Sequence, residues 1–391
     1  EFLRDLIRTP SPSGNEENVV KLIIRKLREV GAEAGSDSIG NALGILKGAG
    51  KGRKLLLNGH VDHVPPAAMA DPYTAEILDG AAFGVRGEVI RGRGASDMKG
   101  AIAAMVMAFA ALGDLKIELL GDLCFAGVVL EETSGSGSKF IVEKRSFAPD
   151  AVLLGEATKL GINLGHRGVV RLHIVTKGVS CHASAPNLGK NALYMAADVI
   201  AHIRERLPPI LPAYPPLLKS SMAVTNLLVE PGVSNVIPDK CYVHIDVRNT
   251  PNLPVEKLID GLRAILKDLR RRNPDFDADI EHISRDVSSY TGYTTTLRTM
   301  TIDPFYTNPE IPIVREAMHV LRMVTEKEPV VSTWSMGTDG HFFSKLGIPT
   351  FGIGPGDEKF AHSVNDHVPI NEVIAATKIY AGEAMQICGS L

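Results

Sequence analysis

Two spacings of apolar residues alternate along the first 167 positions. Val19, Val20, Ile23, Ile24, Leu27 and Val30 recur at helical intervals and stop at Gly31, and the preceding Ser13-Gly14-Asn15-Glu16 has capping-box spacing, which predicts an N-terminal amphipathic helix. Short, largely apolar runs follow at Ala42 to Lys47, Lys54 to Asn58, Leu123 to Leu130 and Ala151 to Leu154, with an Ala/Met-rich helical stretch from Lys99 to Leu112 between the second and third. Strands alternating with helices predict an α/β layer with a mostly parallel central sheet. In such sheets, sites form where strands end and loops begin.

From Gly168 the pattern changes. Val170, Leu172 and Ile174 alternate with Arg171 and His173 as in a half-buried strand, and Ala192 to Leu207 carries apolar residues at helical spacing. Met222 to Val229 and Cys241 to Arg248 read as strands; Val255, Leu258, Ile259, Leu262, Ile265, Leu266 and Leu269 draw a helical stripe after Pro254, and a last short strand is expected from Asp277 to Ile283. The β-α-β-β-α-β order is that of a ferredoxin-like α+β sandwich able to fold as an inserted domain. Three segments follow: residues 1–167 and 296–391 as two parts of one domain, and 168–295 as the insertion.

Composition narrows the function classes. At 391 residues two domains are the default, and 45% hydrophobic with 22% charged residues is ordinary for a globular chain. A net charge of −3 and the absence of any Lys/Arg cluster interleaved with aromatics argue against nucleic acid as a partner. The longest apolar stretch, Ala101 to Leu112, falls short of the roughly 20 residues of a membrane helix, so no membrane partner is expected. Cys124, Cys181, Cys241 and Cys388 follow no C-x-x-C spacing, which points to neither a disulfide framework nor a Cys-type zinc site, and a cytoplasmic setting is expected.

Metal-binding residue types stand at the strand ends. Glu131 and Glu132 close the run from Leu123, where two like charges are costly unless a cation lies between them. His60-Val61-Asp62 follows the second run, Asp97 lies in a glycine-rich turn, Glu156 follows the fourth run and His362 stands near the end. Zinc and its relatives take imidazole and carboxylate ligands, and two ions about 3.5–4 Å apart are held most easily when one ligand is shared. His60, His362, Glu132 and Glu156 with a bridging Asp97 give each ion one histidine and one private carboxylate. Glu131 is left over, and a carboxylate beside the metals but not bound to them is what a general base needs. Asp62 reads as a group that orients the His60 imidazole. Plain readings stand beside these: a turn histidine, Asp97 as a helix cap, a solvated glutamate pair. Their joint placement at successive strand exits favours the metal site.

His60-Val61-Asp62, Gly92-Arg93-Gly94-Ala95-Ser96-Asp97-Met98-Lys99-Gly100, Glu131-Glu132-Thr133, Gly155-Glu156-Ala157-Thr158 and Ala361-His362-Ser363 resemble, in that order over nearly the whole chain, the motifs of the acetylornithine deacetylase, succinyl-diaminopimelate desuccinylase, aminoacylase and carboxypeptidase G family. The resemblance implies a three-layer dinuclear zinc catalytic domain with an inserted lid that usually mediates dimerisation. It implies His60 and Glu156 on one metal, Glu132 and His362 on the other, Asp97 bridging, Glu131 as base, and a cis peptide after Asp97. His182 resembles a lid histidine that stabilises the tetrahedral oxyanion, often in the partner subunit's site. Asn235 and Arg248 resemble substrate-carboxylate binders, and Gly337 and Thr338 a loop lining the pocket. An idle loop histidine, an Arg248–Asp246 pair and Asp339 as a helix cap are the alternatives. His63 and Ala157 depart from the pattern, as does His341, which stands where some amino-acid deacetylases carry arginine; His63 puts a spare imidazole near the site.

The expected activity is metal-dependent hydrolysis of the amide bond of an N-acyl amino acid or small peptide with a free carboxylate. A dipeptidase or carboxypeptidase remains the alternative, and a non-catalytic relative is disfavoured by Glu131 standing with all five ligands. Two divalent ions are expected, zinc first, with cobalt or manganese possible; the partners expected are a small-molecule or short-peptide substrate and a second copy of the chain.

Overall fold

The computed structural model describes residues 1–281, 284–298 and 301–389. Its larger sheet runs in the order Glu33–Ser36, Ala42–Leu46, Leu123–Val128, Leu55–His60, Ala151–Leu154, Thr350–Gly352, Ile162–His166, Phe305–Tyr306, with Val331–Trp334 also beside Ile162–His166. The middle four strands, from Leu123–Val128 to Thr350–Gly352, are mutually parallel, and the path continues antiparallel on either side of them. Every residue of those four is buried, as a sheet covered on both faces requires. Alternate side chains go opposite ways: Leu55 and Leu57 pack with helices Glu17–Glu29, Gly100–Asp114, Pro312–Thr325 and Ile370–Cys388, whereas Leu56, Cys124 and Val152 pack with Ile141 and Phe343 from helices Ser136–Lys144 and Gly340–Ser344. Three layers result. The helical segment Ala95–Asp114 is long and apolar enough to cross a membrane by length and composition, but 89% of its apolar window lies inside the protein, and it is a core helix.

The second sheet has the order Ser221–Glu230, Lys240–Arg248, Val169–Lys177, Ala278–Glu281, wholly antiparallel. Helices Ala192–Arg206 and Val255–Arg272 bury their apolar stripes on one face of it, forming a separate core of Val170, Leu172, Ile174, Val243, Ile245 and their neighbours. This is the ferredoxin-like unit, and its opposite face is polar. The strand expected from Asp277 to Ile283 is described over Ala278–Glu281, and Ile283 lies outside the described residues.

Three features depart from the sequence reading. Ser13 and Glu16 form no capping box. Helix Glu17–Glu29 starts without a side-chain cap; Ser13 Oγ donates to Asp62 Oδ2 at 2.6 Å, and Glu16 Oε1 accepts from the amides of Gly14 and Leu130. An unexpected helix, Phe2–Arg8, precedes it, held by buried Lys99 Nζ on the carbonyls of Leu6 and Thr9. Finally, the residues around the expected end of the insertion, for which no element was expected, form a hairpin, Ser284–Ser288 with Thr294–Arg298. Thr301–Ile302 still pairs with Val169–Val170, and Phe305–Tyr306 pairs with Ile162–His166, so the chain crosses back after Ile302, beyond the 295/296 division.

Candidate active site

Parallel strands end along one edge, and the site is built there. His60 is the last residue of Leu55–His60, Glu131 and Glu132 follow Leu123–Val128, and Glu156 follows Ala151–Leu154. Asp97 comes from the turn before helix Gly100–Asp114, where the Asp97–Met98 peptide is cis. His362, at φ 60°, comes from the loop after Glu358–Phe360. His60 Nε2 lies 2.8 Å from Asp97 Oδ1 and 3.9 Å from Glu156 Oε1; His362 Nε2 lies 3.2 Å from Asp97 Oδ2 and 2.9 Å from Glu132 Oε2. Two sets thus share Asp97: His60, Asp97 and Glu156, all buried, and Asp97, Glu132 and His362, which is more open, with donor atoms inside each set within 4.8 Å of one another.

The donor set fits two divalent cations. Glu131, Glu132, Glu156 and Asp97 crowd one cavity, and Glu156 Oε2 is buried with no partner among the described residues. Burial, offset in part by His60, pushes the Glu156 carboxyl up to about 8, with Asp97 and Glu132 adding repulsion. Burial likewise raises Glu131 well above the carboxylate range, against the pull of His60 and with Asp339 and Glu156 adding to the rise. Asp97 is held well below it: burial is outweighed by hydrogen bonds from His362 and His60. Hydrogen bonds to Asp97 and Glu132 lift His362 to about 10. Four clustered carboxylates with only two imidazoles among them call for cations.

Backbone amides hold the glutamate pair. Leu130 takes a left-handed φ of 61°, turning the chain sharply at the strand end. The three amides from Leu130 to Glu132 are tied by two carboxylates from elsewhere: Leu130 N to Glu16 Oε1, Glu131 N to Asp62 Oδ1 and Glu132 N to Asp62 Oδ2, each at 3.2 Å. Asp62 therefore does more than orient His60, whose Nδ1 is 2.9 Å from the Asp62 carbonyl and 3.6 Å from its carboxylate. Asp366, unnoticed in the sequence, plays a similar part at the other turn: its carboxylate accepts from the amides of Gly94 and Ser96 and from Arg93.

A cavity of about 320 Å³ opens over these residues, bounded on the lid side by Arg248 and Arg171. Both arginines pair with Asp246, at 2.9 and 3.2 Å, so the expected Arg248–Asp246 pair and a place at the cavity coexist. Arg171 was read only as a polar strand position; its alternation with Val170 and Leu172, on the face that also carries Arg248, was the available signal. Gly337 and Thr338 line the cavity, and Thr338 N donates to buried His166 Nε2. Asp339 does not cap its helix with its side chain; it also lines the cavity, with burial pushing its carboxyl up to about 6. His341 lines it too, its pKa pulled down to about 3, first by burial and then by His166.

Three expected neighbours stand elsewhere. His182, on the short ribbon Cys181–His182 with Val236–Ile237, and Asn235, just before its second strand, are exposed and sit beside each other outside the residues lining this chain's cavity, and His182 Nδ1 is 2.7 Å from Ser184 Oγ. His63 is not a spare imidazole: fully buried, it accepts from Ser11 N and bonds the Val64 carbonyl, and its pKa falls to about 4 through burial and then Lys99.

The chain is similar to known proteins over most of its length. The sequence profile of peptidase family M20/M25/M40 matches residues 56–386. An uncharacterised protein of Escherichia coli, YgeY, is 30% identical over 390 residues, 97% of this chain and 92% of that protein. A succinyl-diaminopimelate desuccinylase of Xanthomonas campestris is 27% identical over 391 residues, 96% of this chain and 95% of the other. A tripeptidase from Staphylococcus aureus shares the fold with a TM-score of 0.77 at 17% identity, over 99% of this chain and 97% of that one. A dinuclear metal-binding M20 peptidase from Bacillus subtilis gives 0.72 at 16%, over 100% and 97%. With the profile spanning most of its length and its ligand sets assembled at one cleft, this chain belongs to peptidase family M20/M25/M40 and is a metallohydrolase.

Proposed function

We propose that the enzyme hydrolyses the amide bond of an N-acyl amino acid or short peptide bearing a free carboxylate. The observation that carries this reading is the pair of ligand sets sharing Asp97, with Glu131 facing the same cavity and belonging to neither set. His60, Asp97 and Glu156 would hold one divalent ion, and Asp97, Glu132 and His362 the other, zinc first among the candidates; when bound, such ions acidify water and polarise a carbonyl oxygen. Glu131 takes the proton from the attacking water and passes it to the leaving nitrogen. Arg248 and Arg171 stand together at the cavity beside Asp246, and an arginine fork suits a substrate carboxylate. His182, remote from its own cavity, would serve the cleft of a second copy, which makes the lid the dimer surface.

A panel of N-acyl amino acids and dipeptides, assayed with and without chelator, tests this and separates deacylase from exopeptidase. Hydrolysis should vanish with chelator and return with added zinc. Glu131→Gln should lower kcat by about 10³-fold, within the 10²–10⁴ range of general-base loss, with two metals per chain retained. Loss of metal together with activity would make Glu131 a ligand instead.

A further inference from the structure

We propose that the hairpin Ser284–Ser288/Thr294–Arg298 is a positioning element of the active site, fastening the lid to the catalytic half through Tyr290 and setting the turn that carries Glu131 and Glu132. The consequence for catalysis rests on Glu131 being the base.

The hairpin leaves the lid just after Ala278–Glu281, yet its tip makes its contacts on the other half of the molecule. Tyr290 Oη donates to the Gly40 carbonyl at 3.0 Å, and Thr291 Oγ1 to the Ser38 carbonyl at 2.9 Å. Tyr293 meets Phe140 edge-on, with ring centroids 5.3 Å apart. Farther down the first arm, Arg285 donates to the carbonyl of Thr133, inside the glutamate turn itself. Leu297 on the second arm completes a wall of the cavity.

The Tyr290 socket is built for a ring. Gly40 has φ 108°, a region that L side chains rarely enter, and a Cβ there would stand 2.4 Å from Tyr290 Cε1. The loop forming the socket is wired to the catalytic turn. Asp37 Oδ1 accepts from the amides of Gly40 and Asn41, fixing the loop. Asn41 then grips both flanks of the turn: its Oδ1 accepts from Val129 N at 3.0 Å and its Nδ2 donates to the Gly137 carbonyl at 3.1 Å. Residues 130–136 are thus clamped at two flanks by a loop that Tyr290 covers, and at Thr133 by Arg285. A two-stranded ribbon is marginally stable by itself. Its docking therefore depends on this socket, and the position of the lid is coupled to the aim of Glu131.

The experiment compares wild type, Tyr290→Ala, Tyr290→Phe and Arg285→Ala by hydrogen exchange and by steady-state kinetics. Tyr290→Ala should speed exchange of the amides in residues 129–137 at least tenfold while strand Leu55–His60 stays as protected as in wild type. It should lower kcat by about 10- to 100-fold, the scale of a misplaced catalytic group, with KM changed less than threefold. Tyr290→Phe, which keeps the ring over Gly40, should restore most of both. Arg285→Ala, a change at an exposed side chain, should give the same direction more weakly and stands in for Tyr290→Ala if that variant does not fold. Unchanged exchange in 129–137, or exchange raised equally throughout the chain, would overturn the proposal. A wild-type chain inactive on the whole substrate panel would refute the proposed function, while the exchange result would still decide the role of the hairpin.

Discussion

A carboxylate that accepts two consecutive backbone amides fixes a turn more firmly than any packing contact of similar size. Asp62, with no exposure, does this for Glu131 and Glu132 and takes the Ser13 hydroxyl as well. Hydrogen bonds to a charged acceptor contribute about 1.5–3 kcal/mol each, and leaving the amides unpaired costs a similar amount. Asp62→Ala should therefore lower kcat by at least about tenfold through the misdirected glutamates. Metal content, measured by atomic emission, should stay near wild type, because the Asp62 carbonyl, not its carboxylate, makes the shorter contact to His60. A collapse of metal content would restore the simpler view of Asp62 as a support for His60. At this scale the candidate ligands were legible because each lies in a recognisable motif, His60, Glu132 and Glu156 at strand exits and Asp97 and His362 in loops. Glu16, Asp366 and Arg171 were not, since a residue that serves a site by holding someone else's backbone, or by pairing across strands, leaves no mark at fixed sequence spacing. His63 misled for the converse reason: proximity in sequence to His60 says nothing about which way an adjacent strand-end residue points.

Helix Ile370–Cys388 illustrates what an element can tolerate. Glu383 on its inner face is fully buried, and neither carboxylate oxygen has a partner among the described residues. Burial, with Glu316 adding repulsion, raises its pKa well above the usual value. An acid whose folded pKa is raised favours the native state below its unfolded pKa and loses that advantage as pH climbs toward the folded value. Glu383→Leu should thus raise Tm by a few degrees, and by more at pH 8 than at pH 5. An equal gain at both pH values would show that Glu383 does not titrate on unfolding. Periodicity revealed this element class well: the buried strands and the Val255–Arg272 stripe stand close to where the pattern put them. The hairpin escaped because most of its first arm is exposed, so no alternation is imposed, and its place is set by what its tip touches.

For the whole molecule, the polar face of the lid sheet meets the metal cleft while the ribbon bearing His182 and Asn235 lies away from it. If the ribbon acts in a second copy, two differently broken subunits should repair each other. Mixing Glu131→Gln with His182→Ala chains, each nearly inactive, should regenerate about a quarter of wild-type turnover, since half of the random dimers carry one intact composite site. No recovery after verified subunit exchange would remove His182 from the chemistry. The insertion itself was legible in the order of strands and helices; its exit was not, because Thr301–Ile302 extends the lid sheet by too short a strand to leave a pattern.

The ligands are also spread unevenly along the polypeptide. His60, Asp97 and Glu156 have all been translated with more than half of the chain still to come, whereas His362 arrives only after the entire lid. The second donor set therefore closes only when residues from both sides of the insertion have been brought together, whereas the first draws on residues from one side of it alone.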